Sequence, residues 1–276
     1  MYRIKKIFGG FGIHFFLILI AASCVLPLLW TAGSALKTQE TIFTDHSLFP
    51  ASPHLENFYH AWVEGNFGIY FLNSLWYAFW VVLGVVLVSS LAAYAFSRLE
   101  FPGKNILFYL VLITLMIPLP GGFVAVYVLL QKVGLLNRVG YVASQINFGL
   151  ALAIYLMKTF FDNLPRDLED AARIDGCSKL GIWRHVALPL AKPAIAVVVI
   201  FNVMNAWNEY LFALIIFQDP SKMPIQLGLM EFQGAHIVNY PLLMAGITIA
   251  MIPVIIIYFI MQRHIIKGIM SGAVVG

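Results

Sequence analysis

Charge is scarce in this sequence. Only 11% of its 276 residues are Asp, Glu, Lys or Arg, against roughly 25% in an ordinary soluble domain. With 61% hydrophobic residues and a mean hydropathy of +0.86, the chain has more apolar surface than a water-soluble core could hide. Cysteine is nearly absent: Cys24 and Cys177 stand far apart, which excludes a disulfide framework and any Cys/His zinc spacing. His14, His185 and His264 have no companions at ligand spacing, so no metal site is expected. The chain also lacks a G-x-x-x-x-G-K-[ST] run, so no phosphate-cradling loop of that type is present. No nucleophile–base constellation points to an enzyme. The apolar runs are about 20 residues long and do not alternate, which speaks for spanning helices rather than a β-barrel.

What is present is an all-α integral membrane pattern with six transmembrane helices, at about 13–32, 70–96, 106–130, 141–161, 191–217 and 242–261. A basic lead of Arg3, Lys5 and Lys6 precedes the first run, which is read as a retained span rather than a signal peptide. In the polar segment after it, Asn57–Val63 suggests a short interfacial helix with Phe58, Tyr59 and Trp62 at headgroup level. Ser97–Asn105 reads as a tight turn. The third run is broken by Pro118-Leu119-Pro120-Gly121-Gly122, read as a helix break at a gate and tolerable only where protein or a cavity satisfies the freed backbone groups.

Lys and Arg set the orientation. Thirteen of the 17 fall in the N-terminal lead, the second and fourth connections and the tail. The remaining four are Lys37, Lys132, Arg138 and Lys222. The positive-inside rule then places both termini in the cytoplasm, and accounts for the basic pI near 9.0 without nucleic acid.

The charges concentrate in one connection, 162–190, whose centre reads PRDLEDAARIDGCSKLGIWRHVALP over Pro165–Pro189. Asn163-Leu164-Pro165 suggests a helix start, with Asp167, Glu169 and Asp170 in its electropositive first turn. Leu168, Ala171 and Ala172 are expected on one face by i, i+3, i+4 spacing. Gly176 stands where a helix ending needs a left-handed residue, and Ser178 can cap a second helix. That helix places Ile182, Trp183 and Val186 on one side and is expected to stop at Leu188-Pro189. Three readings of the knob are weighed: a plain connector, a DNA-reading helix pair, and a docking element for a soluble partner. The membrane would hold it against the lipid surface, which counts against DNA, and its agreement of caps, small residues and turn favours docking.

The fifth run carries Asn202, Asn205, Asn208 and Glu209. An ionisable residue inside a span costs roughly 2.5–3.5 kcal/mol on insertion scales and so normally faces a cavity or a partner. Two roles are open for this set: lining a substrate pathway, or joining helices as structural glue. Trp207 and Tyr210 read as packing or interfacial aromatics, and His236 and Asn239 as an outer loop that is either solvated or in contact with an external protein.

The run DAARIDGCSKLGIWRHVALPLAKP resembles the EAA loop of ABC importer permeases. The family's Glu falls on Asp170, its alanines on Ala171 and Ala172, its Asp-Gly on Asp175-Gly176 and its Leu-Pro on Leu188-Pro189; Asp for Glu at 170 is a departure, with Glu169 beside it. NSL…LAAYAFSRLEFPGK, LMIPLP…LLQKVGLLN, AWNEYLFAL and QRHIIKGIMSGAVVG are similar to carbohydrate-type, maltose-like permeases, the smaller partner of a pair, with Val275 where relatives often carry Lys. The resemblance implies one permease domain over 1–276, moving a sugar or oligosaccharide inward by alternating access. It implies a homologous second permease, a cytoplasmic ATPase dimer using ATP and Mg, and an extracytoplasmic binding protein, in a bacterial or archaeal cytoplasmic membrane. It implies that this chain binds no cofactor and is not itself an enzyme. Glu169, Asp170, Ala171, Ala172, Asp175, Gly176, Leu188 and Pro189 would then contact the ATPase. An importer for glycerol phosphate is one rival, disfavoured by the scarcity of cations in the spans. An ion-coupled secondary transporter is another, expected to show internal repeats and several buried charges.

Overall fold

The computed structural model describes residues 2–234 and 238–273, and no strand occurs among them. His236 and Val275 lie outside the described residues. The helices run in the order α1 (Tyr2–Ser34), α2 (Glu56–Tyr59), α3 (Phe67–Arg98), α4 (Lys104–Ile113), α5 (Leu119–Lys132), α6 (Arg138–Asp162), α7 (Asp167–Ile174), α8 (Lys179–Ile182), α9 (Leu188–Leu190), α10 (Lys192–Asn208), α11 (Leu211–Ile216), α12 (Ile225–Glu231) and α13 (Tyr240–Ala273). Four stretches are long and apolar enough to cross a bilayer: Ile13–Ser34, Phe67–Arg98, Arg138–Asp162 and Tyr240–Gln262. Two bent pairs add to them, Lys104–Met116 with Gly121–Lys132 at 112° and Lys179–Leu190 with Lys192–Asn208 at 78°. This is a multi-pass all-α membrane protein.

The expected break at Pro118 is present. A 3₁₀ turn over Thr114–Met116 closes the first half, Ile117 and Pro118 are extended, and α5 restarts with proline in its first turn, where no N–H is needed. The fifth run departs from expectation. It is not one helix over 191–217, because α10 ends at Asn208, Glu209 is extended (φ −69°, ψ 128°), and α11 begins at Leu211. The physical reason is the Glu209 carboxylate, which accepts from Phe212 N at 2.6 Å and Ala213 N at 3.0 Å. It thereby satisfies the free donors of a new helix start.

The chain folds as two compact units that divide at Gly68/Ile69, Leu227/Gly228 and Ile252/Pro253. In the smaller unit, α1 exposes Ile13, Phe16, Ile18 and Leu26 by more than half. The following segment is organised by Lys37, whose side chain is buried. Its ammonium donates to Asp45 O at 2.5 Å and Ser47 O at 2.8 Å and lies 4.9 Å above the Trp30 ring. Asn57 ties in the short α2 by donating to Ala35 O and Lys37 O. Lys37→Ala leaves the Asp45 and Ser47 carbonyls without this donor, and is expected to destabilise this unit by about 1–3 kcal/mol, read as a lower melting temperature of the purified protein.

In the larger unit, α3, α6 and α10 enclose the main core around Val85, Ile154, Met157 and Val198. At the N-terminal end of α3 a polar network holds the 218–227 segment. Asn73 donates to Ser221 O and Met223 O, Tyr77 to Lys222 O, and Arg138 to both Asn73 Oδ1 and Ser221 O. Arg138 and Lys222, counted as loop charges in the sequence, are thus part of a fixed joint. Within it, bonds from Ser221 and then Lys222 draw the Asp219 carboxyl down to about 2.

Candidate functional site

The 162–190 loop is a folded element. α7 begins at Asp167, two residues after Pro165 rather than at it, and spans two turns. Its end is a full Schellman turn. Cys177 N donates to Ala172 O at 2.9 Å and Gly176 N to Arg173 O at 3.0 Å, with Gly176 at φ +83°. Ser178 caps the next helix by accepting from Gly181 N at 3.2 Å, as its position in the sequence suggested. From there α8 passes through a π turn into α9, so helix continues past Leu188-Pro189 to Leu190. Pro189 falls in the first turn of α9 and breaks nothing there. Ile182, Ala187 and Ala191 are buried against the main core, and Trp183 and Val186 pack beside them.

The faces of α7 differ from the expected set. Ala172 is buried beside Glu169, three residues earlier, whereas Leu168, Ala171 and Asp170 are exposed. Adjacent residues lie about 100° apart on a helix, and the inward direction set by Glu169 and Ala172 leaves Ala171 on the exposed side. The outward stripe is Leu168, Ala171, Ile174 and Asp175; Ile174 is 87% exposed, and Leu180 beyond the turn is 62% exposed. The two acidic neighbours likewise separate. Asp170 pairs with Arg173 at 3.0 Å on the surface. Glu169 is buried, with Oε1 2.6 Å from Arg98 Nε and Oε2 accepting from Tyr94 OH at 3.4 Å. Leu188 is half-buried and Pro189 exposed.

A second feature lies among α3, α5, α6 and α10, a cavity of about 150 Å³ lined by Val81, Phe123, Gln145, Phe148, Gly149, Asn202, Asn205, Ala206 and Glu209. Three of the four polar residues singled out in the fifth run therefore meet there. Asn208 does not; its amide donates to Met204 O one turn back. Asn202 is buried and donates to Val198 O, leaving its carbonyl oxygen beside Gly149, where a Cβ would collide with it. Close approach of α6 to α10 thus requires glycine at 149. Glu209 joins cavity and scaffold, since Tyr141 OH donates to its Oε2 at 2.9 Å. Trp207 is buried, with its ring edge-on to Phe71 at 5.6 Å, a packing role as expected. Asn239 accepts from Leu242 N at 3.2 Å and so caps α13.

Sequence reasoning missed Gln145, Phe123, Phe148 and Arg98. Gln145 is 6% exposed, and its amide nitrogen has no protein partner among the described residues. The cavity lining carries no cation among the described residues.

The sequence model of the binding-protein-dependent transport system inner membrane components matches residues 84–271. The chain belongs to that family. The permease is 35% identical to the probable ABC transporter permease YurM of Bacillus subtilis, over 99% of this chain and 91% of that protein. It is 32% identical to the diacetylchitobiose uptake system permease NgcG of Streptomyces coelicolor, over 94% and 87% of the two chains. Its fold matches a chain of a bacterial ABC transporter that imports the acidic polysaccharide alginate, with a TM-score of 0.83 and 23% identity over 95% and 97% of the two chains. The family match covers the loop, the cavity residues on α6 and α10, and Arg98.

Proposed function

We propose that the permease is one subunit of an ABC importer for a neutral sugar or oligosaccharide, working by alternating access driven by a separate ATPase. Six spans arise when Lys104–Met116 with Gly121–Lys132 counts as one crossing and Lys192–Asn208 as another, with both termini and the 162–190 loop in the cytoplasm. That loop is the EAA loop, and its outward stripe of Leu168, Ala171 and Ile174, flanked by Asp170 and Asp175, docks on the ATPase. The observation that carries this reading is the combination on α7 of an exposed apolar stripe with an inward face fixed by a buried ion pair. An apolar face left in water at the tip of an otherwise packed loop fits a partner surface. Asp170, held only by a surface pair, offers a carboxylate to a partner cation.

The substrate class rests on the cavity and on relatives. Amide groups of Gln145, Asn202 and Asn205 with the rings of Phe123 and Phe148 suit a neutral polyhydroxylated ring. A phosphorylated solute would call for cations that this lining lacks. The diacetylchitobiose and maltodextrin permeases among the relatives support a sugar or oligosaccharide. A homologous second permease, an ATPase dimer using ATP and Mg, and an extracytoplasmic binding protein complete the assembly. The test is a gentle-detergent pull-down of this subunit from its own membranes, with mass spectrometry of the co-purifying proteins. Recovery of an ATPase and a second permease is the expected result; recovery of the subunit alone, with the ATPase present in the lysate, would overturn the docking role.

A further inference from the structure

Arg98 closes α3, and its guanidinium reaches two points of the loop at once. Nη2 donates to Leu164 O at 2.7 Å, ahead of α7, and Nε lies 2.6 Å from Glu169 Oε1 on α7 itself. The side chains of Arg98 and Glu169 are 5% and 6% exposed, and Tyr94, one turn before Arg98 on α3, donates to the other carboxylate oxygen. A parallel tie runs from Ser97 Oγ to Asp162 Oδ1 at 2.7 Å, with Lys158 on the same carboxylate. The Tyr94, Ser97 and Arg98 contacts join the C-terminal end of α3 to the end of α6, to Leu164 and to α7.

We propose that Arg98 is a positioning residue for coupling: it locks α7 to α3, so that movement of the docked loop becomes movement of a cavity-lining helix. This rests on the reading that the loop receives the ATPase. Replacing a buried ion pair with packed apolar residues is often neutral or stabilising, so stability alone is a weak reason for charge here. What a guanidinium hydrogen-bonded to Leu164 O and in ion contact with Glu169, five residues further on, adds is a fixed position for α7 at two points. Glu169 sits about 100° from Asp170 around the helix. Anchoring the first therefore fixes the angle at which Leu168, Ala171 and Ile174 face outward. The same α3 carries Val81 into the cavity wall. An apolar pair would fill the space yet let α7 turn or slide, because dispersion contacts have no angular preference.

The experiment uses the assembled importer in lipid nanodiscs, with Cys24 and Cys177 replaced by Ser and Asn205→Cys in the cavity as reporter. The reporter's alkylation rate by a membrane-impermeant maleimide is measured without nucleotide and after trapping with ATP and vanadate. With the native pair the two rates are expected to differ by about tenfold, within the usual range of coupling between sites. In Arg98→Met/Glu169→Met the ATPase should still co-purify and hydrolyse ATP, with the two rates equal. Arg98→Lys keeps the charge and the assembly, but its single nitrogen cannot occupy the Nη2 and Nε positions together, and the rate ratio should fall between the two. A native ratio in Arg98→Lys, or in an assembled double variant, overturns the role of Arg98 and leaves the importer reading intact. No rate change with the native pair, although the ATPase co-purifies, overturns alternating access and the transmission proposal together.

Discussion

Gly176→Val is expected to leave the permease inserted and paired with its partners while reducing substrate-stimulated ATP hydrolysis by about tenfold or more, the scale of a lost coupling between sites. Gly176 has φ +83°, and a Cβ placed on it meets nothing within 4 Å. Within this chain, any effect of valine therefore comes from the backbone, since no neighbour meets the added Cβ. A β-branched residue resists positive φ, and holding a non-glycine residue there costs on the order of 1–3 kcal/mol. Valine relieves the strain by opening the turn that Cys177 N to Ala172 O and Gly176 N to Arg173 O close. Ile174 and Leu180, on either side of it, then lose their fixed spacing. Gly176→Asn separates torsion from simple sensitivity to substitution, because asparagine visits the left-handed region far more readily. It should retain most of the hydrolysis response. Normal stimulated hydrolysis in the valine variant, with assembly intact, would remove this turn from coupling.

That turn is legible in the sequence because its chemistry is local. A glycine at a helix end and a serine before the next helix each satisfy backbone groups within a few residues, and no distant contact changes the outcome. The break at Pro118 is legible for the same reason. The position of Glu169 is not. Spacing alone leaves Glu169 and Asp170 equally able to face a partner. The decision comes from Arg98, 71 positions earlier in the chain, whose guanidinium occupies the inward side of α7. In the sequence Ser97 and Arg98 read as part of a polar turn, with Arg98 as one of the charges that set orientation, yet they are residues that hold the loop. A basic residue closing a long apolar helix just before such a turn is the available signal. Its bland explanation, favourable interaction with the helix end, accounts for the residue just as well until the two elements are seen together.

The cavity shows the same division. Asn202, Asn205 and Glu209 step by three and four, and they meet in one cavity even though the helix ends at Asn208 before the set is complete. Gln145 and Phe148 give no such sign, because α6 mixes polar and apolar residues along much of its length. Their convergence depends on Gly149 admitting the Asn202 side chain, a close approach visible only when two helices are placed together.

Glu209 decides between the two roles left open by its sequence position. Its Oε1 accepts from Phe212 N, and its Oε2 from Ala213 N and Tyr141 OH. Glu209→Ala removes every one of these acceptors, and by the usual worth of a helix cap it should lower stability by about 1–2 kcal/mol. Its transport should fall as well, a loss that by itself does not distinguish scaffold from pathway. Glu209→Gln is the discriminating change, because the amide keeps one oxygen for the start of α11 while replacing the carboxylate that lines the cavity. If the carboxylate meets the solute, Glu209→Gln, whose amide nitrogen can accept from neither Phe212 N nor Ala213 N, should lower the melting temperature less than Glu209→Ala yet raise the KM of uptake by about tenfold, the loss of one charge-assisted hydrogen bond. Unchanged uptake kinetics in Glu209→Gln, with Glu209→Ala impaired only in step with its melting temperature, would make Glu209 a cap for α11 and nothing more. The pathway would then be left to Gln145, Asn202 and Asn205, whose amides share the same cavity wall.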